Sequence, residues 1–240
     1  MILYNKSGSV TARNLARLLK MKAIRDDKWT RGIPTIRWGS SKPIPGDTCR
    51  INSALSIGNT SDGFVSLNIM RDYGIPVPDI YRFHEVPSNV DVLARKRYHR
   101  AGTDIIFCRN LQEVRDAYNQ QRVYFTKYIL TSIELRVHVI NGEVVKGFRK
   151  IKENDEDVIP IRSSNKGWGY KRVDIFEHYP EVIPIVLAVG EALNLTFYAI
   201  DMARKRVDRS WVIWEANTAP ALNVSTLALY GNRLSRLING

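Results

Sequence analysis

The stretch ELRVHVINGEVVKGFRKI, residues 134–151, constrains the fold more than any other part of this 240-residue chain. Apolar residues alternate on both sides of Asn141-Gly142, and Asn-Gly supplies the positive φ angles that a two-residue turn between twisted antiparallel strands demands. An antiparallel pair is therefore built into the sequence. Side chains on a strand alternate between faces, so Glu134 and Arg136 share one of them.

The rest of the chain alternates helical and strand-like segments. A strand at MILY precedes a helix with Ala12, Leu15, Ala16 and Leu19 at helical spacing, for which Ser9 or Thr11 can supply the cap. RGIPTIRWGSSKPIPGD reads as a short strand between loops. In SDGFVSLNIMRDYGIPVP the residues Phe64, Leu67 and Met70 recur as on a helix, Gly74 stops it, and the prolines at 76 and 78 lead into a strand. Strand, strand, helix and strand follow up to RVYFTKYIL. PEVIPIVLAVGEALNL is a helix, and FYAIDMA and SWVIWEAN are strands. Alternating helices and hairpins without an internal repeat imply an α+β fold with mixed, mostly antiparallel sheets.

The last two strands are joined by the polar turn RKRVDRS. A turn centred near Asp208 sets Asp201 opposite Glu215, and Asn217 lies two residues further along the same face. Facing carboxylates repel by about 0.2–1 kcal/mol even at a surface, so positive charge is expected between them. Two carboxylates and an amide carbonyl are hard oxygen donors suited to Mg²⁺ or Mn²⁺. The competing possibility is that Arg204 and Arg206 simply pair with these acids.

Lys and Arg number 36 against 24 Asp and Glu, an excess of +12 that attracts polyanions such as nucleotides, nucleic acid or acidic peptides. Cys49 and Cys108 are far apart with no CxxC partner, so neither a disulfide framework nor a zinc site is suggested, which suits a reducing, cytoplasmic setting. MILYNKSGSV lacks the basic region and long apolar core expected of a signal peptide, and no run comes near the roughly 20 apolar residues of a membrane span. GxxxxGK(S/T) and GxGxxG are both absent, which removes the Walker and Rossmann readings. His84, His99, His138 and His178 lack metal-ligand spacing, and His138 reads as a packed or hydrogen-bonded histidine. Trp38, Trp168, Trp211 and Trp214 read as packing residues.

FYAIDMA with WVIWEANTAP resembles the end of the ATP-grasp ligase fold. VLARKRYHRAGTDI looks like that family's nucleotide-binding strand and glycine-containing flap. YFTKYILTSIELRVHVINGEVV is similar to its hinge and Glu-x-Arg-Val strand, and IRSSNKGW to the loop before its final helix. NKSGSVTARNLARLL with IRWGSS looks like the openings of small ATP-grasp proteins, including RimK-like and phage-type members. The resemblance implies an N-terminal α/β lobe at 1–78, a nucleotide-binding subdomain at 79–127, and a subdomain at 128–240 with the metal site and a C-terminal helix. It implies ATP with Mg²⁺ or Mn²⁺, with Asp201, Glu215 and Asn217 as the metal set. Lys127, Tyr128 and Ile129 would contact adenine through the hinge, and Glu134 would receive the ribose. Lys96 would reach phosphate, with Arg95 and Arg97 as competing choices, and Arg136 and Arg149 would face the transferred phosphate.

The activity so implied is a carboxylate–amine ligase working through an acyl phosphate, with ADP and phosphate as products. The basic surface suggests that at least one substrate is anionic: an acidic peptide, a protein tail or a nucleic-acid-linked group. The location expected is the cytoplasm, that of a host if the chain is virus-encoded. A kinase on the same scaffold, or a basic nucleic-acid-binding protein with a degenerate ATP site, are the alternatives. Three departures touch the substrate side: Gly63 where the family usually has lysine, Ala221 for glycine after TAP, and RSSN where relatives place Asn directly after Arg.

Overall fold

The computed structural model describes residues 1–4, 9–28, 33–46, 48–49, 51–98, 105–152 and 167–239. The flap glycine Gly102, His99 and the loop Arg162–Asn165 lie outside the described residues.

The chain forms three sheets. A parallel sheet of order β2-β1-β3 joins Ile2–Tyr4 (β1), Ala23–Arg25 (β2) and Ile36–Trp38 (β3). Helix α1, Val10–Leu18, packs on it, and Ser9 caps the helix by accepting from Ala12 N–H at 3.1 Å. Helices α2 (Ala54–Ser61) and α3 (Gly63–Asp72) follow, and Asp62 between them caps α3 by accepting from Val65 N–H. The chain then turns through Tyr73 and Gly74, whose φ of 73° is the left-handed value that ends a helix.

The second sheet, order β4-β7-β5-β6, contains Ile80–Tyr81 (β4), Val92–Arg95 (β5), Ile106–Cys108 (β6) and Tyr124–Lys127 (β7). Helix α4, Leu111–Asn119, covers one face through Val114 and Ala117 against Val92, Ala94 and Phe125. By alternation Leu93, Arg95, Tyr124 and Thr126 occupy the other face.

The third sheet is antiparallel, of order β10-β9-β8-β11-β12. Its strands are Thr131–Ile140 (β8), Glu143–Lys152 (β9), Trp168–Val173 (β10), Phe197–Lys205 (β11) and Trp211–Asn217 (β12). Asn141 and Gly142 turn β8 into β9 with φ of 52° and 71°. One face packs Leu135, Val137, Val139, Ile200, Met202 and Ile213 against α6 (Ile183–Leu193), which follows the short α5 (Ile175–His178), and against Leu67 and Met70 of α3. The opposite face is divided along its length. Near the Asn-Gly turn, Ile140 and Phe197 are covered by Trp38 and by Tyr230 of α7 (Val224–Asn239). Beyond that apolar end it carries His138, Arg136, Asp201, Glu215 and Glu134.

Two β-bulges set which side chains reach that face. Strands β8 and β9 pair Val139 with Val144 but His138 with Lys146, so Val145 is the extra residue. Strands β11 and β12 pair Met202 with Ile213 but Asp201 with Glu215, so Trp214 is the extra residue. The turn is thus centred between residues 207 and 208, and the bulge restores the Asp201–Glu215 pairing expected from a centre at 208. The open edge of β12 is engaged by the segment before β4, where Ile213 N–H donates to the Pro76 carbonyl at 2.8 Å.

Candidate active site

The acids occupy a row that crosses three strands. Arg136 on β8 pairs with Asp201 on β11, which pairs with Glu215 on β12. Arg136 donates from Nε and Nη2 to the two carboxylate oxygens of Asp201 at 2.7 and 2.6 Å, and its guanidinium lies 4.7 Å from the centre of the Tyr170 ring. The planar two-point contact is the geometry arginine is suited to. The expected cation is therefore Arg136. Arg206 instead donates to the Thr131 carbonyl, and Arg204 stacks over Trp211.

The two carboxyls are driven apart electrostatically. Burial opposes ionisation of Asp201, but the charge of Arg136 and its two hydrogen bonds hold the carboxyl below its ordinary range. Burial, then the Asp201 charge, push Glu215 up to about 7 against the pull of Arg136, Arg95 and Lys150. The row thus presents one carboxylate bound to its own arginine and a second short of positive charge.

A divalent cation fits that shortfall. Among the described residues no group of three or more His, Cys, Asp or Glu side chains could hold a metal, so an ion here would rely on Asp201, Glu215 and the Asn217 amide. That sparse oxygen set matches Mg²⁺, which keeps several of its positions for water and phosphate. Asn217 is two residues from Glu215 and opposite Ala199, and its Oδ1 already accepts from Ala219 N–H at 2.9 Å, which fixes the side chain.

Other expected residues take distinct places. Glu134 is on the site face and is approached by Lys150 Nζ at 3.4 Å. Arg149 is opposite Leu135 and Lys171, which puts it on the α6 side of the sheet, away from Arg136 and Asp201. Lys150, its neighbour, shares the site face with Tyr170 and acts electrostatically on Asp201 and Glu215. The Val145 bulge is the cause: an unbroken ladder from the Asn-Gly turn would set Arg149 opposite Glu134.

In the second sheet Arg95 is only 4% exposed, donates from Nε to Thr126 Oγ1 at 3.1 Å, and acts on Glu215. Arg97 pairs with Asp62 at 2.6 Å, and Gly63 N–H donates to the Arg97 carbonyl. Lys96, half-buried, follows β5 between them. The charge of Arg95 is felt at the acidic row, where it favours the ionised form of Glu215.

At the hinge the Lys127 and Tyr128 amides donate to the Asp79 and Asp91 carbonyls. Lys127 Nζ also lies 3.4 Å from Asp79. Phe107 packs edge-on to Tyr128 and shares the face of Leu93, so apolar groups flank the hinge that sequence reading had not singled out. His138 accepts from or donates to Tyr230 Oη at 3.0 Å, and burial followed by the Arg136 charge lowers it to about 3, so the ring is neutral. It is a packed, hydrogen-bonded histidine as expected.

A family model for the RimK-like ATP-grasp domain matches residues 80–238, more than half of the chain. No curated protein matches the sequence. Similar solved structures include D-alanine–D-alanine ligase from Bacillus anthracis, with TM-score 0.69, 14% identity, and coverage of 99% of this chain and 94% of that one. The ATP-grasp ligase PsnB complexed with a minimal precursor has TM-score 0.66 and 13% identity, with 98% of each chain covered. The macrocyclase MdnC of Microcystis aeruginosa MRC, bound with its precursor peptide MdnA, has TM-score 0.61 and 12% identity over 100% of this chain and 99% of that one. At these identities the structures establish a shared fold. With the match to residues 80–238, the chain belongs to the RimK-like ATP-grasp family.

Proposed function

We propose that this ligase uses ATP to phosphorylate a substrate carboxylate and then joins the acyl group to an amine, on a substrate that is anionic. The observation that carries the reading is the Arg136–Asp201–Glu215 row on the polar part of the sheet face. A carboxylate oxygen attacks the γ-phosphorus, the bond to the β-phosphate oxygen breaks and ADP leaves. The amine then attacks the acyl carbon, phosphate departs, and the amine loses a proton.

Phosphoryl transfer depends chiefly on positioning and charge stabilisation. Arg136 and Lys150 supply fixed positive charge on the floor of the site, and Arg95 supplies it from the second sheet. Ile129 N–H and the hinge carbonyls are the groups offered to adenine, since the two preceding amides are engaged. Glu134 receives the ribose. Magnesium held by Asp201, Glu215 and Asn217 would neutralise phosphate charge. In this reading residues 79–127 and 128–240 are the two parts that grip the nucleotide, and 1–78 is the preceding lobe.

The test is thermal stabilisation by ATP and ADP with and without Mg²⁺, in the parent protein and in Glu215→Gln. Stabilisation is expected to require Mg²⁺ in the parent and to lose that requirement, with most of its size, in the variant. A variant that keeps full magnesium-dependent stabilisation refutes the site. Turnover with hydroxylamine should yield a hydroxamate and ADP, whereas release of AMP refutes the acyl-phosphate route.

A further inference from the structure

The floor of the site continues past Arg136 toward the outer edge of the sheet. Arg136 is opposite Phe148, and Phe148 is opposite Arg172 on β10. Lys146, two residues before Phe148, is opposite His138 on the same face. Its ammonium lies 5.5 Å from the centre of the Phe148 ring and donates to Ser225 Oγ at 2.7 Å, at the start of α7. Because Arg172 is opposite Phe148, it is a diagonal cross-strand neighbour of Lys146 on this face, and burial followed by the Arg172 charge lowers the proton affinity of Lys146.

Like charges held close on one face are unfavourable unless something negative joins them. The hydrogen-bond partner of Lys146 is a hydroxyl, and among the described residues neither cation has a carboxylate partner. Charges on an edge strand commonly keep other strands from pairing. That accounts for Arg172 but not for Lys146, which is on the inner strand β9 and half-buried.

Position along the sheet says what would meet this pair. The hinge is at the start of β8, so Glu134, Arg136 and His138 run progressively away from the nucleotide's entry, and Lys146 is beside the last of them. Arg172 is three strand positions from Asp201 through Phe148 and Arg136. At about 4.8 Å per strand that is roughly 14 Å, the reach of about four residues of extended peptide. A free amino acid cannot place one carboxylate at the acidic row and another there.

We propose that Lys146 and Arg172 form a second anion subsite that binds a carboxylate side chain of an acidic peptide while another carboxylate of the same peptide is held for activation. This rests on the reading of the site as one that phosphorylates a carboxylate.

The experiment measures binding of a fluorescent hexaglutamate peptide in the presence of Mg²⁺ and ADP. The variants are Lys146→Ser with Arg172→Ser, and a control with equal charge loss, Lys171→Ser with Arg115→Ser, whose side chains are exposed elsewhere. Free glutamate and a short single-stranded oligonucleotide of similar charge are the comparison ligands. The expected result is a loss of about five- to tenfold in hexaglutamate affinity in the first variant, at the scale of two exposed ion pairs, and little change in the control. Equal losses in both variants, free glutamate binding as tightly as the peptide, no peptide binding by the parent, or tighter binding of the oligonucleotide lost in the same variant would each overturn the proposal. Magnesium-dependent stabilisation by ADP is read in parallel. If it persists while the peptide result fails, only the subsite is wrong; if it is absent in the parent, the underlying reading has failed.

Discussion

Replacing Glu215 by Gln should stabilise the nucleotide-free protein above neutral pH while removing its response to magnesium. Glu215 is displaced from its ordinary 4.5 to about 7 by burial and by Asp201. Each tenfold change in proton affinity is worth about 1.4 kcal/mol, which sets an upper bound of roughly 3.5 kcal/mol on the cost of the charged form. The residue is half-buried by surface area, so screening brings the expected figure to roughly 1.5–3 kcal/mol. A carboxyl raised in the folded state costs nothing below its unfolded pKa, where it is protonated in both states. The cost grows as pH rises from 4.5 to about 7 and is constant above that. Asp201 has the opposite sign: its stabilisation is lost as pH falls through its lowered folded value, below this window.

Urea unfolding in EDTA at pH 5, 6, 7 and 8 measures the difference. The variant should match the parent near pH 5 and exceed it by roughly 1.5–3 kcal/mol at pH 8. Saturating Mg²⁺ with ADP should reverse the order at pH 8, because the parent alone gains the full linkage stabilisation. A gain that is absent, or the same at pH 5 and pH 8, refutes the argument that an under-compensated carboxylate is kept for a cation.

The face assignment predicts that Lys150→Ala lowers the ligase turnover number by about 100-fold, whereas Arg149→Ala changes it by less than about threefold; steady-state kinetics of the two variants decide it. Asn52, at φ 57°, donates to the Phe197 carbonyl and accepts from Thr196 and Phe197 N–H. Asn52→Ala should cost about 2–4 kcal/mol in urea unfolding, at about 1 kcal/mol per hydrogen bond with added backbone strain. Tyr230→Phe leaves His138 Nδ1 without its partner and should cost about 1–3 kcal/mol, while magnesium-dependent ADP stabilisation persists.

The sheets and the facing of Asp201 and Glu215 were legible because their signals are local. Asn-Gly dictates the β8–β9 turn, and the polar turn after Lys205 brings the Asp201 strand back against the Glu215 strand. What stayed hidden was governed by single extra residues. The Trp214 bulge compensates a turn centred half a residue from its expected place, whereas the Val145 bulge moves Arg149 off the face and Lys150 onto it. Neither Val145 nor Trp214 has a composition that announces a bulge. The effect of Arg95 on Glu215 likewise depends on how the second sheet sits against the third, a tertiary relation without a sequence signal. Helix α2 was likewise silent, because GNTS at its end carries no apolar period.

The alternation along β8 divides the demands on this strand by parity. Odd-numbered positions 135, 137 and 139 answer to the solvent-free interior, and even-numbered positions 134 and 136 carry the charged side chains of the opposite face. Divergence among descendants of this gene can therefore rewrite the even set, and with it the chemistry, while leaving the odd set to keep the protein folded.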